Sequence, residues 1–306
     1  MNLRIGYLST FYHTSVLMIA RGTLSGDTGL EGKWRLFGTG PAIVEAFQKR
    51  ELDLAYIGLP PAIIGIANGV PIKCIAGGHM EGTVISGKAH CKGFPEIGAL
   101  EEILKQFMGL TIGVPGKGSI HDVILNDVLR RYNLTKDIEV MNFQWADQVL
   151  EAMHRGDVSA AVGTPALAAA VKRFADGKIL YPPFKLWPNN PSYGILAEQT
   201  FLERAWALAE RFLALHEDTT FFLRNHAAEA SGIIADYVGV VDKELVLDAI
   251  SISPRYCASV TDEYIASTMQ FVKVLKGLGY INREIPSGEI FDTSLIKKIH
   301  PEKDHY

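Results

Sequence analysis

The sequence predicts an α/β protein of two similar lobes, each a mainly parallel sheet flanked by helices. Two chain crossings between the lobes form a hinge. Three observations carry this. First, short apolar, β-branched segments alternate with helical ones from residue 3 to residue 197, the pattern of a parallel sheet with helices on its faces. Second, the chain repeats itself. LRIGYL at Leu3–Leu8 is echoed by LTIGVP at Leu110–Pro115, and Val16-Leu17 by Val123-Ile124. Glu45–Phe47, Glu51–Ala55 and Gly58 are echoed in the same order by Glu151–Met153, Asp157–Ala161 and Gly163. Third, Leu110–Arg131 reads as a buried strand, a glycine turn (Pro115–Gly118) and a helix. Ser119 stands as its N-cap with Asp122 three residues on, and Ile120, Val123, Ile124 and Val128 mark one face. Such a unit aims backbone N–H groups and the positive helix end at the strand's carboxyl edge, where a small anion can bind.

The elements follow in order. Leu3–Leu8 is a strand, Ser9–His13 its carboxyl-end loop and Thr14–Ala20 a helix. Thr23–Gly32 is a polar surface turn. Lys33–Gly38 is the second strand. Gly40-Pro41 opens a helix through Arg50, with proline at its favoured first position. Asp53–Gly58 is a strand, Pro60-Pro61 opens a helix ending near Gly69, and Pro71–Gly77 is the fourth strand. Gly78–Gly98 is less regular; within it Thr83–Ser86 reads as the strand carrying the chain to the second lobe. Leu100–Phe107 is a helix. The plan then repeats: strands at Leu110–Val114, Ile138–Phe143 and Val158–Val162, helices at Ala146–Arg155 and Pro165–Ala175, and Ile179–Tyr181. Pro182–Asn190 is turn-rich, and Ser192–Ala197 is the strand returning to the first lobe. Helices span 200–224, 226–237, 242–249 and 261–277, and Tyr280–Tyr306 is a polar tail with some order. The lobes are therefore expected at residues 1–85 and 191–306, against 86–190.

Composition excludes several classes. The 306 residues carry a net charge of −4 with 48% apolar residues and no basic block, so nucleic acid is not an expected partner. Cys74, Cys91 and Cys257 are odd in number and unpatterned, against a disulfide framework. No apolar run is long enough to span a bilayer. Met1-Asn2 runs directly into the first strand without a leader pattern, which reads as cytoplasmic if the sequence is the native one.

Ligands of open α/β sheets bind beyond the carboxyl ends of the strands. The candidates are thus the loop residues there: Ser9, Thr10, Tyr12 and His13; Thr39 and Gly40; Gly58 and Leu59; Gly78 and His79. From the second lobe come Lys117, Gly118, Ser119, His121, Trp145, Gly163 and Thr164, with Tyr193 at the return crossing. Hydroxyls and backbone N–H groups suit an oxyanion, Lys117 and a protonated histidine add charge, and Tyr12 and Trp145 can cover an apolar or planar part. Ser119 serves equally as a plain cap, and Trp187 and Trp206 as packing. His79, His90 and Cys91 lack zinc-type spacing, and no nucleophile elbow appears, so no metal, cofactor or catalytic residue is expected.

Four pieces together carry a resemblance: LRIGYLSTFYHTSVLMIA, EAFQKRELDLAYIGLPPAIIGIANGVPIKCIAGG, MGLTIGVPGKGSIHDVILNDVLRRYNL and EAMHRGDVSAAVGTP. In this order and spacing, over residues 3–270, the chain resembles the substrate-binding proteins of ABC importers for nitrate, sulfonates, taurine and thiamin precursors. The resemblance implies a type II periplasmic-binding-protein fold that closes over a small, anionic organic or oxyanion ligand. It also implies an ABC permease as partner, an extracytoplasmic location and a monomer. Two features depart from the family: no leader is present, and Gly163-Thr164-Pro165 stands where members often have tryptophan, an acidic residue and proline. The alternative is a cytosolic enzyme or ligand sensor on the same fold in cofactor-precursor biosynthesis, with His13, His79 or His121 as general acid or base.

Overall fold

The computed structural model describes residues 2–24 and 31–305, so most of the turn expected at Thr23–Gly32 lies outside the described residues. The first run is β1 (Asn2–Leu8), α1 (Thr14–Ala20), β2 (Glu31–Phe37), α2 (Gly40–Gln48), β3 (Leu54–Ile57), α3 (Leu59–Ala67) and β4 (Ile72–Met80). After a crossing come β5 (Val84–Lys88), α4 (Leu100–Lys105), β6 (Thr111–Pro115), α5 (Ile120–Arg131), β7 (Glu139–Phe143), α6 (Ala146–Arg155) and β8 (Ala160–Gly163). Next are α7 (Pro165–Phe174), β9 (Gly177–Tyr181) and α8 (Pro183–Leu186). The chain returns through β10 (Pro191–Glu198) to α9 (Gln199–Asn225), α10 (Ala227–Val238), α11 (Lys243–Ile252), α12 (Asp262–Gly277), α13 (Ser287–Ile290) and α14 (Ser294–Ile299).

Two five-stranded sheets result, ordered β2-β1-β3-β10-β4 and β7-β6-β8-β5-β9. The internal repeat is visible in the pairing. β1 runs parallel to β2 and β3, with Ile5 beside Leu54 and Gly6 beside Ala55. β6 runs parallel to β7 and β8, with Ile112 beside Ala160 and Gly113 beside Ala161. Each sheet holds one antiparallel strand, β10 between β3 and β4, and β5 between β8 and β9. All of β5 lies in the second sheet, so the first crossing precedes Val84.

Three segments differ from the sequence reading. β4 continues past Gly77 to Met80, because β10 pairs along it as far as Pro191 opposite Met80. The turn-rich Pro182–Asn190 contains the single-turn α8, opened by Pro183 at a favoured first position. The tail contributes α13 and α14, and α14 packs on α9 and β4. Among the described residues, no helix is long and apolar enough to cross a membrane.

The two crossings are tied to each other. Glu81, buried and at φ 61°, donates its backbone N–H to the Asn190 carbonyl at 2.7 Å. Its carboxylate accepts the Asn189 N–H at 2.9 Å and pairs with Arg255. A second link joins the lobes away from the crossings: Tyr280 Oη, just beyond α12, donates to Asp122 Oδ2 on α5 at 2.5 Å, and Arg130 donates to the Gly277 carbonyl at 2.5 Å.

Candidate functional site

The carboxyl ends of both sheets face one cavity of about 60 Å³. From the β1–α1 loop come Leu8, Ser9, Thr10, Tyr12 and His13. The β2–α2 turn supplies Gly38, Thr39 and Gly40, and the start of α3 supplies Gly58 and Pro61. The second lobe contributes Pro115, Ser119, Ile120, His121, Ala146 and Thr164, and β10 contributes Ser192. No aspartate, glutamate, lysine or arginine is among these lining residues.

Helix starts dominate the wall. His13, Thr39, Gly58, Ser119, Trp145 and Thr164 are the N-caps of α1, α2, α3, α5, α6 and α7. Each start leaves N–H groups without intrahelical partners and carries partial positive charge. The lobes treat these starts differently. Ser119 Oγ accepts the Asp122 N–H at 3.3 Å and donates to the Pro115 carbonyl at 2.5 Å. Thr164 Oγ1 accepts the Leu167 N–H at 3.1 Å, and Gln148 Oε1 accepts the Gln144 and Trp145 N–H groups at 3.1 Å each. His13, Thr39 and Gly58 make no side-chain cap. Thr10 Oγ1, His13 Nδ1 and Ser15 Oγ are moreover buried without a hydrogen-bond partner among the described residues.

The imidazoles near the cavity are neutral. Burial, reinforced by His79 and His121, holds His13 well below its usual range. Burial alone takes His121 down to about 3, and it brings His79 to about 4. His121 Nδ1 is hydrogen-bonded to Thr83 Oγ1 at 3.0 Å, linking the cavity to the first crossing. His79 Nε2 donates to the Ser253 carbonyl at 2.5 Å, which leaves its Nδ1 as a bare acceptor, buried without a partner. The expected charge from a protonated histidine is therefore absent from the wall at neutral pH.

The structure thus gathers Ser9, Thr10, Tyr12, His13, Thr39, Gly40, Gly58, Ser119, His121 and Thr164 around the cavity. It places Leu59, His79, Lys117, Gly118, Trp145 and Tyr193 elsewhere. Leu59 is wholly buried in the core. His79 lies behind the wall with ring centroids 5.3 Å from Tyr12 and 4.6 Å from Tyr256. Tyr193 neighbours Ser192 on β10, and strand alternation turns the two side chains to opposite faces. The Tyr193 hydroxyl instead accepts the Thr14 N–H at 3.1 Å. Lys117 is exposed: Gly116 and Gly118, at φ 49° and 78°, turn the loop so that Lys117 and Gly118 line a separate groove with Tyr280. Gly116 must stay small, since a Cβ there would lie 2.7 Å from Thr39 Cγ2 across the cleft.

Trp145 belongs to a wider mouth of about 400 Å³ that shares Ser9, Thr10, Ala146 and Thr164 with the cavity. Its remaining walls are mostly apolar, with Phe11, Leu150, Phe174 and Val240. The loop-position argument missed Ser192 and Ala146 in the cavity. The alternation of β10 could have found Ser192, because its neighbour Tyr193 turns the opposite way.

Two lobes of like topology, each with one antiparallel strand in its sheet and both closing their carboxyl edges over one cavity, define a periplasmic-binding-protein fold. Solved structures agree. The ligand-binding component of an ABC-type import system from Staphylococcus aureus, solved with zinc bound, is similar at TM-score 0.82 and 16% identity, covering 99% of this chain and 100% of that one. The periplasmic aliphatic sulphonate binding protein of Escherichia coli matches at 0.78 and 19%, covering 96% and 92%. The periplasmic nitrate-binding protein of Synechocystis matches at 0.78 and 11%, covering 98% and 88%. No curated protein matches the sequence. The model of the NMT1-like family matches residues 1–236, and the chain belongs to that family.

Proposed function

We propose that this protein is a solute receptor that closes over a small organic anion, holding the anionic head in the cavity and an apolar body in the mouth. One observation carries the reading. Six helix starts (α1, α2, α3, α5, α6 and α7) converge on a cavity lined by hydroxyls and neutral imidazoles, without an acidic side chain among the lining residues. Backbone donors and helix dipoles favour an anion there without a full counter-charge. The apolar mouth favours a hydrocarbon group beside it. The aliphatic sulphonate and nitrate proteins named above support the same ligand class. On this reading the protein works outside the cytoplasm as a monomer and delivers its ligand to an ABC permease, with the segments before Val84 and after Asn190 closing against the segment between.

Calorimetry with methanesulfonate, hexane-1-sulfonate and hexylamine tests the ligand. Hexanesulfonate is expected to bind more tightly than methanesulfonate, each buried methylene adding up to about fourfold, and hexylamine not to bind. Tighter binding of the amine would end the anion reading. A second reading, catalysis, has the orphan His13 Nδ1 in its favour, a neutral base at the cavity. Recovery of a chemically altered ligand after incubation would select it over the receptor.

A further inference from the structure

A second group of donors lies outside the cavity lining. Cys257 and His300 are buried and His305 is exposed; one donor atom from each lies within 4.8 Å of the others. The residues are distant in sequence, which is why spacing could not show them. We propose that Cys257, His300 and His305 bind a thiophilic divalent cation, zinc being the natural occupant.

Three features point to a cation there. Cys257 Sγ lies 3.6 Å from His300 Nε2. That length matches the sulfur-to-nitrogen edge of tetrahedral zinc, about 3.6 Å from Zn–S of about 2.3 Å and Zn–N of about 2.0–2.1 Å. On its other side, His300 Nδ1 is 2.9 Å from Glu217 Oε1. A carboxylate accepting from the far nitrogen of a histidine fixes its tautomer and frees Nε2 for a metal. The other oxygen, Glu217 Oε2, is buried with no hydrogen-bond partner among the described residues, an excess of negative character that a nearby cation would offset. His305 on the exposed tail can rotate inward as third ligand, leaving the fourth position to water. The same histidines also approach Glu217 and Glu302, an oxygen-rich alternative. The thiol favours zinc over calcium or magnesium. On binding, the Cys257 proton leaves to solvent and the thiolate bonds the metal.

The site would tie the C-terminal tail to the segment behind the cleft. Cys257 N–H donates to the Gly78 carbonyl at 3.3 Å, and Gly77 N–H to the Ala258 carbonyl at 2.8 Å. Tyr256 Oη donates to the Tyr12 carbonyl at 3.0 Å.

The test uses untagged full-length protein and metal ions alone. Zinc, measured against a competing chromophoric chelator, is expected to bind at one equivalent per chain and to raise the melting temperature. Cobalt(II) is expected to show a thiolate charge-transfer band. Cys257→Ser should abolish the band, and His305→Ala, an exposed change that leaves the core intact, should weaken zinc at least tenfold. Absence of stoichiometric zinc in the wild-type protein would overturn the proposal. So would binding that survives Cys257→Ser unchanged, since carboxylates would then be the ligands.

Discussion

The two lobes share a topology but not a chemistry. In the second, two of the three helix starts at the cavity are capped by Ser119 and Thr164, and at the third Gln148 accepts the Gln144 and Trp145 N–H groups just before α6. In the first, the corresponding starts at His13, Thr39 and Gly58 are uncapped, and the orphaned Thr10, His13 and Ser15 atoms lie beside them. A cap stabilises a helix by about 1 kcal/mol, so omitting three in one lobe has a purpose only if something else supplies the acceptors. The difference teaches that repeated architecture can divide labour: on the proposed reading, the first lobe leaves more of its helix starts open to a ligand, and the second satisfies its own.

Acid offers the largest test of this asymmetry. His13, His79 and His216 belong to the first lobe and His121 to the second, and all four titrate below their ordinary range in the folded chain. The unfolded chain then binds more protons, so stability is full above about pH 6.5 and falls as pH drops towards 4 for His79 and His216 and 3 for His121. By pH 5 His79, His216 and His121 each cost about 2 kcal/mol. Hydrogen exchange at pH 5 should show β1, β3 and β10 losing protection before β6 and β7; the reverse order would break the comparison.

Gly116→Val acts on the contact between lobes, forcing a branched residue into positive φ against Thr39. Strain of about 1–3 kcal/mol should weaken hexanesulfonate binding roughly tenfold or more and expand the molecule in X-ray scattering. Next comes a matched pair. Ser119→Ala should lower stability by about 1 kcal/mol with little change in affinity. Thr10→Val should leave stability intact, because it removes an orphaned buried hydroxyl, yet weaken binding about fivefold. Melting curves and calorimetry on both variants decide, and equal profiles would erase the distinction. The smallest effect is a null one: with neutral imidazoles at the cavity, affinity should stay flat between pH 6.5 and 8.

Much of this was legible beforehand. Strand–helix alternation and the LRIGYL/LTIGVP echo led to two like sheets, because periodicity and turn glycines are local signals. The loop residues at strand ends found most of the cavity wall for the same reason. What failed needed three-dimensional detail. Lys117 read as a charge for the ligand, but the signs of two φ angles turn it to solvent. Tyr193 reads as a site residue from its place at the return crossing, whereas strand phase turns Ser192 to the cavity. The Cys257–His300 pair joins residues that only the docking of the tail brings together.

The returning strand β10 also sets an order of assembly. The second sheet uses β5 through β9, an unbroken stretch of chain from Val84 to Tyr181. The first is complete only when β10 arrives between β3 and β4. During synthesis, the second lobe can therefore finish while β3 and β4 still present open edges to the cell. Those edges must wait for more than 100 residues of further chain to emerge, and unpaired edges invite aggregation. The lobe whose helix starts lack side-chain caps is thus also the one whose strand edges stay unpaired longest as the chain is made.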